Sequence, residues 1–290
     1  MVIFFKIKFA FMKKLFIILV LLLIPHIVSA GSISLTTSVS TDIMTEKITD
    51  MHVKLLNSGD ESAYDVQISL LSEKFRKDKI FVGELKPNEP FEGDFNITLM
   101  GEINPGKYPI PVLVDYADAN GYPFSSVSPA FIVYKTPTTA RISGLIPEIS
   151  LSGKESKKLT LSIKNLDDVE HDLDVKLILP REIKVVDDKK TTSIDSKQEK
   201  SLDFEVSSLS AISGSTYAII ALIEYDDNNS HYTSFANGII KIDGGSETKK
   251  PEMTSTLAYV VLFISIIIVL IYAYPKYIKR GKKVEKKRNG

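Results

Sequence analysis

Apolar and polar residues alternate with a period of two through most of residues 31–252. Met51, Val53 and Leu55 form one such series, and Leu159, Leu161 and Ile163 another. Val66, Ile68 and Leu70 are answered by Leu173, Val175, Leu177 and Leu179. Phe95, Ile97 and Leu99 are answered by Leu202, Phe204 and Val206, and Tyr108, Ile110, Val112 and Val114 by Tyr217, Ile219, Ala221 and Ile223. This period belongs to half-buried strands, and no stretch holds a helical period beyond two turns. A density of about seven short strands per hundred residues, with turn signals between them, predicts antiparallel β-sandwiches.

The answering series is a duplication. Residues 113–121 (LVDYADANG) match 222–230 (LIEYDDNNS). Tyr108 and Tyr217, Tyr116 and Tyr225, and Phe95 and Phe204 are each separated by 109 positions, and Asn57 and Asn165 by 108. The period far exceeds the roughly 20–50 residues of a solenoid, so whole domains are repeated. The expected organisation is one sandwich over 31–135 and a second over 140–242. Their boundary lies at 136–139 (TPTT), and the short linker predicts an end-to-end arrangement with limited bending. A polar linker over 243–252 follows.

Two apolar runs break the alternation. Residues 15–24 (LFIILVLLLI) follow Lys13 and Lys14 and precede Val28, Ser29 and Ala30. That order is the charged, apolar and small-residue sequence of a secretory signal peptide over 1–30, with Met12 a second candidate start. Residues 257–273 (LAYVVLFISIIIVLIYA) lie in an uncharged stretch, 253–275, with Tyr259, Tyr272, Tyr274 and Tyr277 near its two ends. This predicts one transmembrane helix over 253–275.

Charge sharpens the picture. The 290 residues sum to zero, but 1–30 carry net +4, 276–290 net +7 and 31–252 net −11. A basic flank stays cytoplasmic, so the tail 276–290 is predicted inside and the acidic repeats outside. The tail suits anionic headgroups, which makes membrane lipid a predicted partner and leaves no reason to invoke nucleic acid. Cysteine and tryptophan are absent. Thiol catalysis, thiolate metal sites and disulfide staples are thereby excluded, and the cores must rest on aliphatic and Phe/Tyr packing.

Residues 57–66 (NSGDESAYDV), 83–89 (GELKPNE) and 105–121 (PGKYPIPVLVDYADANG) resemble the CARDB and NEW3-like group of Ig-like β-sandwiches. These occur in S-layer-related and other envelope proteins of archaea and bacteria. The resemblance covers nearly all of 31–135 and fits 140–242 more weakly, where Leu166 and Ser230 stand in place of motif glycines. It implies a fold and an envelope location, with members acting as non-enzymatic spacers or adhesion modules. A fold motif carries no activity of its own.

Candidate chemistry is sparse. Residues 101–108 (GEINPGKY) approach a phosphate-binding loop, but Tyr108 replaces the metal-binding hydroxyl and the segment leads into a strand. A Pro-Gly turn is the expectation. Asp115, Asp118, Asn120 and Gly121, with Glu224, Asp226, Asp227 and Asn228 in the second copy, resemble part of a calcium loop but lack its end ligands. The same residues suit a tight hairpin, which is preferred. His52, His171 and His231 match no ligand spacing and are expected at the surface or on strand edges. Asp167/Asp168 and Asp187/Asp188 read as solvated turn charge. No catalytic, cofactor-binding or metal-binding residue is predicted, and no cofactor. Asn96 and Asn228 head N-x-S/T sequons and are candidate glycosylation sites. The expectation is a single-pass, non-enzymatic cell-surface protein, a spacer or a binding module for an envelope protein or surface glycan. The alternative is an accessory subunit of a membrane transport or secretion complex.

Overall fold

A computed structural model describes residues 31–153 and 155–244, together with Phe263 in a helix. Apart from Phe263, the signal peptide, membrane segment and basic tail read from the sequence lie outside the described residues. Among the described residues no helix is long and apolar enough to cross a membrane.

The first unit holds β1 (Leu35–Thr41), β2 (Ile48–Asn57), β3 (Ala63–Leu70), β4 (Phe75–Arg76), β5 (Ile80–Leu85), β6 (Pro90–Leu99), β7 (Gly106–Pro109), β8 (Val112–Ala117), β9 (Pro123–Ser128) and β10 (Phe131–Tyr134). The second holds β11 (Ile142–Leu145), β12 (Ile149–Leu151), β13 (Lys157–Asn165), β14 (His171–Ile178), β15 (Ile183–Val185), β16 (Lys189–Ile194), β17 (Glu199–Ser208), β18 (Thr216–Asp227) and β19 (Ser230–Ile242). Sheets run β1-β2-β6-β4 and β5-β3-β8-β9 in the first unit, and β11-β13-β17-β15 in the second. The fourth, β10-β7-β19-β18-β14-β16 with β12 parallel on β19, draws strands from both units. This is an all-β, Ig-like pair of sandwiches.

The duplication extends to the register. Met51 faces Phe95 on β2 and β6, and Leu159 faces Phe204 on β13 and β17. Tyr116 pairs with Phe124, and Tyr225 with Tyr232. The alternating series supply the two cores. Met51, Val53 and Leu55 pack with Tyr108, Ile110, Val112 and Val114. Leu159, Leu161 and Ile163 pack with Tyr217, Ile219, Ala221 and Ile223.

Asn57 and Asn165, both fully buried, staple equivalent corners. Asn57 Nδ2 donates to the carbonyls of Glu61 (2.7 Å) and Leu85 (3.1 Å), and its Oδ1 accepts from Gly59 N–H (3.0 Å). Asn165 Nδ2 donates to Val169 (2.7 Å), Asp195 (3.1 Å) and Ile194 (3.3 Å), and its Oδ1 accepts from Asp167 N–H (2.8 Å). The asparagines are legible as landmarks because a buried amide must satisfy all its polar atoms.

The end-to-end arrangement is not what forms. A third apolar cluster, Leu113 and Val127 from β8 and β9 with Ile178, Ile220 and Leu222 from β14 and β18, joins the outer faces of the two central sheets. The sandwiches therefore lie face to face as four stacked sheets. They run in opposite directions: Gly106, where the first unit's β7 begins, pairs with His231 beyond the end of β18, while Asp115, late in β8, meets Arg181 at the other end. The apolar runs on β8 and β18 explain this choice, because strands that are apolar on both faces must be covered on both.

Candidate functional site at the seam between the sandwiches

Around the apolar centre of the seam, polar groups close both ends. At one end the Arg181 guanidinium grips Asp115 with two hydrogen bonds, 2.6 and 2.8 Å. Glu182, only 3% exposed, accepts from the Ser125 hydroxyl (2.7 Å) and from the Ser125 backbone N–H. A buried carboxylate with two donors meets the usual condition for burying charge. The Tyr122 hydroxyl donates to the Ser210 carbonyl at 2.7 Å. Burial first, and the Glu182 charge second, push the Tyr116 phenol up to about 12.

At the other end Gly106 lies against the His231 backbone. A Cβ there would stand 2.2 Å from the His231 carbonyl oxygen, and its φ of 153° is one that side chains avoid. The His231 N–H donates to Pro105 O at 2.8 Å, and Thr138 Oγ1 donates to His231 O at 2.6 Å. Thr233 Oγ1 donates to Lys107 O at 2.7 Å. The His231 ring stacks on Tyr108 of the first unit, 4.0 Å between centroids and 5° from parallel. Its Nδ1 lies 2.9 Å from Asp226 and its Nε2 3.0 Å from Glu224. Lys74 closes the group, 3.7 Å from Glu224 and 4.6 Å above the Tyr108 ring. Burial, then the negative charges of Asp226 and Glu224, hold the Tyr108 phenol far above its ordinary range.

Beside this end opens a cleft of about 580 Å³, bordered by Leu71, Glu73 and Lys74 of the first unit and Lys176, Lys189 and Leu222 of the second. Glu73 crosses the seam here, meeting Lys189 at 3.0 Å and Lys176 at 3.7 Å. The Lys189 hydrogen bond holds the Glu73 carboxyl below the usual carboxylate range.

Two histidines need correction. His171 and His231 are 5% and 3% exposed, whereas His52 is the surface residue expected, 2.7 Å from Asp94. His171 shares the parity of Leu173 and Val175 on β14, faces inward and packs on Tyr225. His231 is drawn in by the hairpin register, which sets it opposite Asp226. That register was the available signal, and in it both the Glu224 and Asp226 carboxylates meet the His231 ring. In the first copy, Asp118 accepts from the N–H groups of Asn120 (2.9 Å) and Tyr122 (2.8 Å) while Gly121 takes φ 77°. That is hairpin-turn geometry. Among the described residues no group of three or more His, Asp or Glu side chains is disposed to hold a metal ion. Gly106 opens β7, as the Pro-Gly turn reading required, and its part in the seam went unread.

Asn96 is exposed on β6, and Asn228 is exposed at the β18–β19 turn with φ 47°. Asp167 and Asp168 occupy the β13–β14 connection, and Asp187 and Asp188 the β15–β16 connection. Asp168 N–H, then His171, hold the Asp167 carboxyl below its usual range.

No protein-family model and no curated protein sequence matches the chain. Solved structures do. Native alpha-2-macroglobulin of E. coli aligns over 72% of this chain and 17% of its own, at 14% identity and a TM-score of 0.29. A protein of unknown function from Porphyromonas gingivalis W83 aligns over 70% of this chain and 98% of its own, at 15% identity and a TM-score of 0.28. A non-cellulosomal cohesin from Archaeoglobus fulgidus aligns over 36% and 91%, at 14% identity and a TM-score of 0.27. The chain thus spans about a sixth of the alpha-2-macroglobulin. Likeness this distant carries no functional argument, and the sandwich architecture rests on the strand pairing above.

Proposed function

We propose that this chain is a membrane-anchored cell-surface protein whose fused sandwiches form a rigid, non-enzymatic binding module of the envelope, of the CARDB/NEW3-like kind. The observation that carries the reading is the seam. An apolar centre closed by Arg181–Asp115, Ser125–Glu182 and the Tyr108–His231 stack makes one body of two units. Such a body presents loops from both units in fixed relation, which suits holding a partner protein or glycan. It suits a flexible tether poorly. The apolar run at 253–275 and the basic tail 276–290 supply the anchor and its orientation. Protease applied to whole cells should release the acidic repeats and spare the tail. Shaving of the tail, or a freely soluble chain, overturns the reading. The second reading, an accessory subunit of a membrane complex, is favoured if crosslinking in native membranes captures its partner through 253–290 and not through the sandwiches.

A further inference from the structure

The antiparallel seam brings both chain ends of the fold to one end of the body. Ser32 is bonded to Asp60 in the β2–β3 loop, at the end of the first unit that also carries Tyr122. Tyr122 meets Ser210 of the second unit, and that unit's last strand finishes beside it: Gly214 N–H donates to Ile242 O, and Ile242 N–H to Ser215 O, both at 2.9 Å. Two residues later the description stops at Gly244, with eight residues, 245–252, before the uncharged segment 253–275 begins. A chain of that length spans about 30 Å when fully extended, and less as a flexible coil. On the anchored reading above, the β17–β18 loop, 209–215, therefore faces lipid.

That loop is built unlike its neighbours. Among the described connections of three or more residues, it alone carries no charged residue. Leu209 is 62% and Ile212 38% exposed. Much of its backbone is already satisfied. The N–H groups of Leu209 and Ser210 donate to Glu182 O, the Ser215 N–H donates to Ile212 O, and Ser210 O accepts from Tyr122. Approach to a low-dielectric surface then strips water from few unpaired groups and no formal charge. The Glu182 side chain that sits beneath the loop is itself fixed, its carboxylate accepting from the Ser125 hydroxyl.

We propose that the β17–β18 loop is a membrane-contact element: Leu209 and Ile212 enter the outer interface of the bilayer that anchors the chain. This rests on the membrane-anchored reading and adds to it a second attachment point that fixes the body's tilt.

The chain has no cysteine, so single probes can be placed without background. Leu209→Cys, Ile212→Cys and Leu166→Cys, the last at the opposite end of the second unit, would each carry an environment-sensitive fluorophore. The full membrane-inserted chain is reconstituted in phosphatidylcholine vesicles doped with a shallow nitroxide lipid, with circular dichroism confirming the fold of each variant. The expected result is blue-shifted emission and several-fold stronger lipid quenching at 209 and 212 than at 166. Equal, weak quenching at all three sites in a chain that floats with the vesicles overturns the loop contact and leaves the anchor standing. Probes at 209 and 212 shielded from aqueous iodide but not quenched by lipid also overturn it, and indicate a protein surface covering the loop. A chain that does not float overturns both the contact and the anchored reading.

Discussion

The two sandwiches share a register but not a strand plan. In the second unit β18 and β19 are unbroken, 12 and 13 residues long. In the first, the equivalent strands are each cut in two, β7 from β8 by Ile110 and Pro111, and β9 from β10 by Pro129 and Ala130. Proline cannot donate to a ladder, and Pro111 and Pro129 stand at the two breaks. The cut frees β7 and β10 to leave their own sheet and join β19 of the other unit, while β8 and β9 stay behind and present Leu113 and Val127 to the seam. One copy of a duplicated domain thus kept the regular hairpin, and the other broke it to make a joint. The tyrosine that opens each strand records the same division. Tyr108 donates its hydroxyl to Asn104 O at 2.7 Å, a corner bond. The Tyr217 hydroxyl is buried without a hydrogen-bond partner.

The largest test separates the units. Leu222→Asp places an unpaired carboxylate in the seam and should cost about 4 kcal/mol or more. Urea unfolding should show one transition for the parent chain and two for the variant, and a single unshifted transition in the variant would mean that the seam does not couple the units. Next come the asparagine corners. Asn165→Ala abandons three carbonyls and one N–H, and Asn57→Ala two carbonyls and the N–H groups of Gly59 and Ser34, so similar losses of about 2–3 kcal/mol are expected by the same measurement. Clearly unequal losses would show that the two corners are not equivalent. The tyrosines sharpen the contrast further. Tyr108→Phe loses a made bond and should cost about 1 kcal/mol, whereas Tyr217→Phe removes an unmade one and should be neutral or slightly stabilising. The smallest effect is in pH. Asp118 lies in the β8–β9 turn of the first unit and Asp167 in the β13–β14 connection of the second, and both carboxyls are held below their ordinary range, chiefly by the N–H groups of Tyr122 and Asp168 respectively. A lowered folded pKa gives stability that is complete above the unfolded value, near 3.8, and is lost as pH falls through the folded one. Stability followed downward from pH 5 should therefore decline, and Asp118→Asn and Asp167→Asn should each flatten part of that slope.

Strands and the duplicated register were legible because alternation and repeated landmarks are local signals. The seam was partly legible and was passed over. Reading β8 and β18 through Val112, Val114, Ile219, Ala221 and Ile223 takes one parity only. Leu113, Ile220 and Leu222 fill the other, and strands apolar at both parities are buried on both faces. His171 could have been placed by parity with Leu173. Nothing local could have paired Arg181 with Asp115 or Ser125 with Glu182, because those contacts exist only once two outer faces have met. The linker at 136–139 limits how far the units separate, and it does not choose between stacking and stringing.

The seam also sets what can be cut from this protein. A fragment stopping at Tyr134 bares Leu113 and Val127, and one starting at Arg141 bares Ile178, Ile220 and Leu222. The first fragment also strands Tyr108 without its His231 stack. Neither half is a bead that can be unstrung. Each, expressed by itself, should seek a surrogate for the missing face, and the nearest surrogate is another copy of the same fragment.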